Sequence, residues 1–179
     1  MEGLGKIAAF ELQQIAPDGK LPIVVDIYSV LEELRIIADP SLRESDISVH
    51  WELSQRLPRV WADPHYLLQA LLNLTKNSER AMKDQERREL IISASLEGER
   101  VVVRIHDTGR GVAEPERLFR PFQPGADATG LGLYLSRAFV RAFKGNLRYE
   151  HESIGSCFAL DLLACTGQGE GKEALETDG

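Results

Sequence analysis

The sequence predicts an α/β (α+β) protein, a two-layer sandwich whose mixed, mostly antiparallel sheet is covered on one face by helices. Three observations predict it. Stretches of alternating apolar and polar residues recur along the chain, four other stretches read as helices, and the two kinds follow one another in blocks with no internal repeat. With 179 residues, of which 43% are hydrophobic, the chain can bury one core and need not be divided.

The elements follow in order. Leu4, Ile7, Ala8, Leu12 and Ile15 lie on one stripe of a helix over 4–15, and 26–38 form a second helix. Ile47, Val49, Trp51 and Leu53 alternate with polar residues as a half-buried strand, and 59–62 give a short one. Asp63 then caps a helix with Pro64 in its first turn, running to about Met82. Its apolar side is Leu67, Leu68, Leu71, Leu72 and Leu74. Strands are expected near 90–96 and 100–106, then a helix opened by Gly130 and Gly132 and ending near Phe143. Leu131, Leu135, Ala138, Phe139 and Ala142 recur along that helix at helical spacing, and strands at 146–149 and 156–163 close the sheet.

A net charge of −7 and a pI near 5.2 exclude nucleic acid as the main partner, because a phosphate backbone demands a basic footprint. No leader is evident and no apolar run approaches the roughly 20 residues that span a bilayer. The expectation is therefore a cytoplasmic chain with no membrane contact of its own, or the cytoplasmic part of a membrane-bound sensor. Cys157 and Cys165, the only two cysteines, are an even number of residues apart in one late strand and read as buried thiols of a reducing compartment. Residues 166–179 are glycine-rich and acidic, the composition of a disordered tail.

The residues that carry chemistry cluster in four blocks. Spacings of four and three place Asn73, Asn77 and Arg80 on one stripe of the Asp63-capped helix, with Lys76 beside them. Asp107, Gly109 and Gly111, followed by Val112, form a D-x-G-x-G turn at the end of an apolar strand; an ionised carboxylate there can only accept hydrogen bonds. The two glycines let backbone approach a flat ring and permit positive φ. Phe119 and Phe122 flank Pro121, and both an apolar hinge for a mobile lid and ordinary core packing fit them. Thr129, Gly130, Leu131, Gly132 and Leu133 form the fourth block and open a helix, where free amides and the helix dipole suit phosphate oxygens; the glycines would equally permit close helix-on-sheet packing.

These blocks, in this order, resemble the ATP-binding catalytic domain of two-component sensor histidine kinases, of the Bergerat ATP-binding fold. The resemblance implies ATP and Mg²⁺ as ligands, with Asn77 holding the metal and Arg80 standing where many relatives carry a phosphate-contacting Lys. Asp107 would accept from the 6-amino group of adenine and repel the carbonyl of guanine. The implied reaction moves the γ-phosphoryl group to a His in a separate dimerisation domain, for relay to the receiver domain of a response regulator. His50, His65, His106 and His151 all read as solvent-facing, so the acceptor lies elsewhere, on the same or another chain.

Two features depart from the family: the residues after Phe122 lack the usual Thr-Thr-Lys-like run, and no extra Gly precedes the Gly-Leu-Gly-Leu core, so phosphate charge would fall to Arg80, Lys76 or Arg120. Gyrase-like and MutL-like relatives place a Glu base one helical turn before the magnesium Asn; here Asn73 stands there, and an amide cannot activate water. The implied domains are 1–20 as the end of a dimerisation helix and linker, or alternatively a capping helix; 21–165 as the ATP-binding domain; and 166–179 as tail. A homodimer is expected only with a full helical hairpin. Two alternatives stay open, a module that binds ATP without transfer and signals through lid closure, and an anti-sigma-type protein kinase.

Overall fold

The computed structural model describes residues 21–122 and 130–165. The expectations for 1–20, for Thr129 and for the tail fall outside these residues.

A short strand, β1 (Ile23–Val25), leads into α1 (Ile27–Glu44), which Asp26 caps by accepting from the Tyr28 amide at 3.0 Å. This helix continues well past 38, through Pro40. Pro40 cannot donate to the carbonyl of residue 36, but Ile36 is 68% exposed, so that carbonyl lies on the wet side, while Leu42 is buried and anchors the last turns. Strands β2 (Ser48–Leu53) and β3 (Val60–Ala62) follow, then α2 (Pro64–Ala81). Asp63 caps α2 as expected, accepting from the His65 and Tyr66 amides at 3.0 and 3.1 Å. Next come β4 (Glu89–Glu97), β5 (Arg100–Asp107), a 3₁₀ turn (Pro115–Arg117), α3 (Gly132–Ala142), β6 (Asn146–Glu150) and β7 (Ser156–Leu163).

The main sheet runs β2-β4-β5-β7-β6; only β2 with β4 is parallel, so the sheet is mixed and mostly antiparallel. The strand β1, absent from the sequence reading, pairs antiparallel with β3 in a two-stranded ribbon. Three residues carry too little periodicity to announce a strand, and the partners are 35 to 39 residues away, as Ile23 faces Ala62 and Val25 faces Val60.

All three helices pack on one face. Leu90, Ile92, Val101, Val103, Ile105, Leu147 and Leu160 point toward Leu31, Leu34, Leu67, Leu71, Leu74 and Val140, and each is essentially inaccessible. On the other face an ion-pair ladder stands in place of a second layer: Arg104 bridges Glu97 and Glu150, and Arg148 bridges Glu150 and Asp161. These long side chains cover Val102, Cys157 and Ala159.

The face of α3 differs from the expected stripe. Ala138 and Ala142 are exposed, and the buried face is Ser136, Phe139 and Val140, continued by Phe143. A methyl gains little from burial, so the larger side chains set the helix rotation. The cysteine expectation also needs correction. Cys157 is buried, but β7 ends before Cys165, which is half-buried with its amide bonded to the Arg59 carbonyl. Both thiols are free. His50, His65 and His151 are exposed; His106 is half-buried, its Nε2 3.1 Å from the Ile154 carbonyl.

Candidate functional site

The site begins at the end of β5. Asp107 is 1% exposed, and both its oxygens are engaged: Oδ2 accepts from Ser78 Oγ at 2.9 Å and from Ser156 Oγ at 2.7 Å, while Oδ1 accepts from the Gly109 amide at 2.9 Å. Three elements therefore meet on one carboxylate: Ser78 comes from α2, Ser156 starts β7 directly opposite Asp107, and Gly109 belongs to the turn. A buried carboxylate must be met by donors in this way.

The backbone around it has no room for side chains. A Cβ on Gly155 would lie 1.6 Å from the Asp107 carbonyl oxygen, and its φ of +75° is left-handed. Gly111, at φ +71°, faces the Gly155 carbonyl. Gly109 is used differently from expectation. Its Cβ would lie 2.7 Å from the Ala81 side chain and 2.8 Å from Ala81 backbone, so this glycine lets the turn close on the end of α2, where the Arg110 amide bonds the Ala81 carbonyl.

Above Asp107 opens a cleft of about 540 Å³. One wall is α2, through Asn77, Arg80 and Ala81; another is the turn, through Arg110, Gly111 and Val112. Leu118, Leu133 and Phe158 supply apolar surface, and Ser156 lies beside them. The volume suits a nucleotide-sized ligand. At the start of α3 Leu131 occupies the N-cap, and among the described residues no side chain caps the helix.

Of the residues singled out from the sequence, Asn77, Arg80, Gly111, Val112 and Leu133 line the cleft, and Asp107 lies beneath its floor. Asn73 does not reach it. Its amide donates to Ser136 Oγ at 3.1 Å, and Ser136 in turn donates to the Gly132 carbonyl, so Asn73 ties α2 to α3. Lys76 is exposed away from the cleft. Phe119 packs against the core, edge-on to Phe158 at 6.4 Å, whereas Phe122 is 55% exposed with φ +59° and is no core residue. Gly130 is buried at φ +64° and its carbonyl accepts from the Phe122 amide. Leu131 and Gly132 form the entry to α3 without lining the cleft. Arg120 lines a separate cavity with Phe119, Arg137, Arg148 and Tyr149.

Several residues in and under the cleft were not legible in advance. Ser78 and Ser156 are small hydroxyl residues at unremarkable positions, identified only by what they donate to. Arg110, Glu114 and Arg117 are charged loop residues, indistinguishable in sequence from solvated ones.

Comparison with known proteins agrees with this geometry. Residues 62–165 match the family described as histidine kinase-, DNA gyrase B-, and HSP90-like ATPase. The sensor histidine kinase ZraS of Escherichia coli (strain K12) is 27% identical over 163 residues, covering 89% of this chain. The chain spans 35% of that relative's length. Among solved structures, full-length ShkA in complex with AMPPNP is 28% identical with a TM-score of 0.70, over 85% of this chain and 33% of that one. Histidine kinase ThkA in complex with the response regulator protein TrrA shares the fold, with a TM-score of 0.72 at 20% identity, over 91% of this chain and 48% of that one. With the matched segment running from β3 to the end of β7 and enclosing every wall of the cleft, the chain belongs to the histidine kinase-, DNA gyrase B- and HSP90-like ATPase family, as an ATP-binding catalytic domain of the sensor histidine kinase type.

Proposed function

We propose that this cleft holds magnesium-ATP and that the chain transfers the γ-phosphoryl group to a histidine on a separate helical domain, for relay to a response regulator. The observation that carries the reading is the convergence of Asn77, Arg80 and the Asp107 network on one cleft beside the uncapped start of α3. The ShkA complex with AMPPNP supports a nucleotide ligand, and the ThkA complex supports a response regulator as the onward partner.

Recognition of adenine follows from hydrogen-bond direction. A carboxylate offers about four acceptor positions, and protein donors take three of those on Asp107. Ser156, which lines the cleft, gives its proton to Asp107, so its oxygen is left as an acceptor. The floor is thus an acceptor surface, suited to the 6-amino group of adenine and unsuited to the carbonyl of guanine.

The donor set fits a magnesium ion held through phosphate. Among the described residues no group of three or more His, Cys, Asp or Glu could hold a metal alone, and Asn77, which lines the cleft, carries one neutral amide oxygen. Magnesium takes only one or two protein ligands beside substrate phosphates, and when bound it neutralises charge on the phosphate oxygens. Arg80 would hold phosphate, and the start of α3 would direct amides at it. Positioning and electrostatics carry phosphoryl transfer of this kind. With Asn73 tethered to Ser136 and no Glu in its place, hydrolysis by this chain alone would be slow. The described residues include no helix long and apolar enough to cross a membrane, and we place the domain in the cytoplasm.

The test is thermal unfolding with magnesium-ATP, with magnesium-GTP and without nucleotide, followed by transfer from γ-labelled ATP to a supplied histidine hairpin. A ligand at a hundred times its dissociation constant stabilises by about 2.7 kcal/mol. Stabilisation by ATP alone, lost in Asn77→Ala, together with a labelled histidine, supports the reading. ATP binding with no labelled histidine would favour a module that binds without transfer.

A further inference from the structure

Phosphate oxygens need cations, and of the three that the sequence suggested only Arg80 lines the cleft. Lys76 is exposed elsewhere and Arg120 lines another cavity. The charged side chains that line the cleft are Arg80, Arg110, Arg117 and one acid, Glu114. Arg117 and Glu114 form a pair across the 3₁₀ turn, Nη1 to Oε2 at 2.8 Å, with side chains 49% and 59% exposed. Residues 123–129, which follow Phe122, contain no Lys or Arg and one Asp.

We propose that Arg117 is a phosphate-binding residue of this cleft and that Glu114 holds it until nucleotide arrives. The proposal rests on the ATP reading above. An exposed pair three residues apart is weak and is screened by solvent. A guanidinium on phosphate makes two parallel charge-assisted bonds to a group of higher charge. The exchange therefore runs toward phosphate. Leu118, next in sequence, lines the same cleft, and Phe119 is held under the Arg137 guanidinium, so the backbone that presents Arg117 is anchored on both sides of the wall. Glu114, once displaced, leaves a carboxylate near the triphosphate. It limits affinity, because like charges repel.

The two residues thus act with opposite sign, which a purely structural ion pair would not do. The experiment titrates the whole chain and two variants with magnesium-ATP and with adenosine by calorimetry. Arg117→Gln should weaken ATP about tenfold and leave adenosine unchanged, the loss of one charged hydrogen-bonded contact. Glu114→Gln should tighten ATP about threefold, again with adenosine unchanged. If wild type binds ATP but both variants shift its affinity the same way, or ATP and adenosine weaken together, or neither variant changes anything, the role of Arg117 is overturned and the ATP reading stands. If wild type binds neither ATP nor adenosine, the ATP reading itself falls, and this one with it.

Discussion

The guanidinium carbon of Arg137 lies 4.4 Å from the centroid of the Phe119 ring, stacking α3 on the segment that separates the nucleotide cleft from the cavity beside it. Burial, and then the neighbouring Arg141 charge, lower the pKa of Arg137, and its Nε is buried without a hydrogen-bond partner among the described residues. The cation therefore costs something where it sits, and its stem and stacking contribute the packing. Arg137→Met should keep stability within about 1 kcal/mol of wild type, whereas Arg137→Ala should lose about 1–2 kcal/mol, read from urea unfolding. Equal losses in both would mean that the charge itself is needed.

Asn73 and Asn77 sit one turn apart on α2 with different work. Asn73→Ala removes the bond to Ser136 and should lower the melting point while leaving the magnesium dependence of ATP binding intact; a lost hydrogen bond costs about 0.5–1.5 kcal/mol. Asn77→Ala should do the reverse, changing magnesium dependence with little effect on the nucleotide-free melting point. Calorimetry with and without magnesium, beside thermal unfolding, separates the two. A magnesium effect from Asn73→Ala would contradict the tether.

Gly155 is the least replaceable glycine at the site. Its left-handed φ disfavours any side chain, and a Cβ would collide with the Asp107 carbonyl oxygen at 1.6 Å. Gly155→Ala should cost more than about 3 kcal/mol, because backbone strain adds to displacement of the Asp107 segment. Gly98, at φ +61° with nothing near its Cβ position, is the control. Its alanine variant carries the strain alone, about 1 kcal/mol. Urea midpoints that rank the two the other way would refute the crowding at Asp107.

Acid should weaken the fold through the open face of the sheet. Hydrogen bonds from Arg104, above all, hold the Glu97 and Glu150 carboxyls below their ordinary value. A depressed carboxyl contributes stability above its unfolded pKa and loses it as pH falls through the folded one, so the loss begins below about pH 5. The pair is partly solvated, so the effect should be about 1 kcal/mol. Arg104→Met should flatten the dependence of the urea midpoint on pH between about 5 and 3. An unchanged slope would remove the ladder from the acid response.

Much of the element pattern was legible because it is local. Asp63 and Pro64 announce the start of α2 within two residues, and the alternation of Val49, Trp51 and Leu53 announces β2 by itself. The carboxylate at Asp107 and the amide at Asn77 were legible too, since the chemistry of each resides in one side chain. Other features needed a partner from far along the chain. The pairing of β1 with β3, the parallel placement of β2 on β4, and the donation of Ser78 and Ser156 to one carboxylate all join segments that sequence spacing leaves unrelated. Cations were the least predictable. Long Arg and Lys side chains can point several ways from one backbone position, and neighbouring elements decide which reach the cleft, so Arg117 lines it while Lys76 and Arg120 do not. By itself, then, the sequence determined the family and most of the element types; the tertiary structure decided which charges and hydroxyls come together at the cleft, because that depends on the closing of long loops around a shared core.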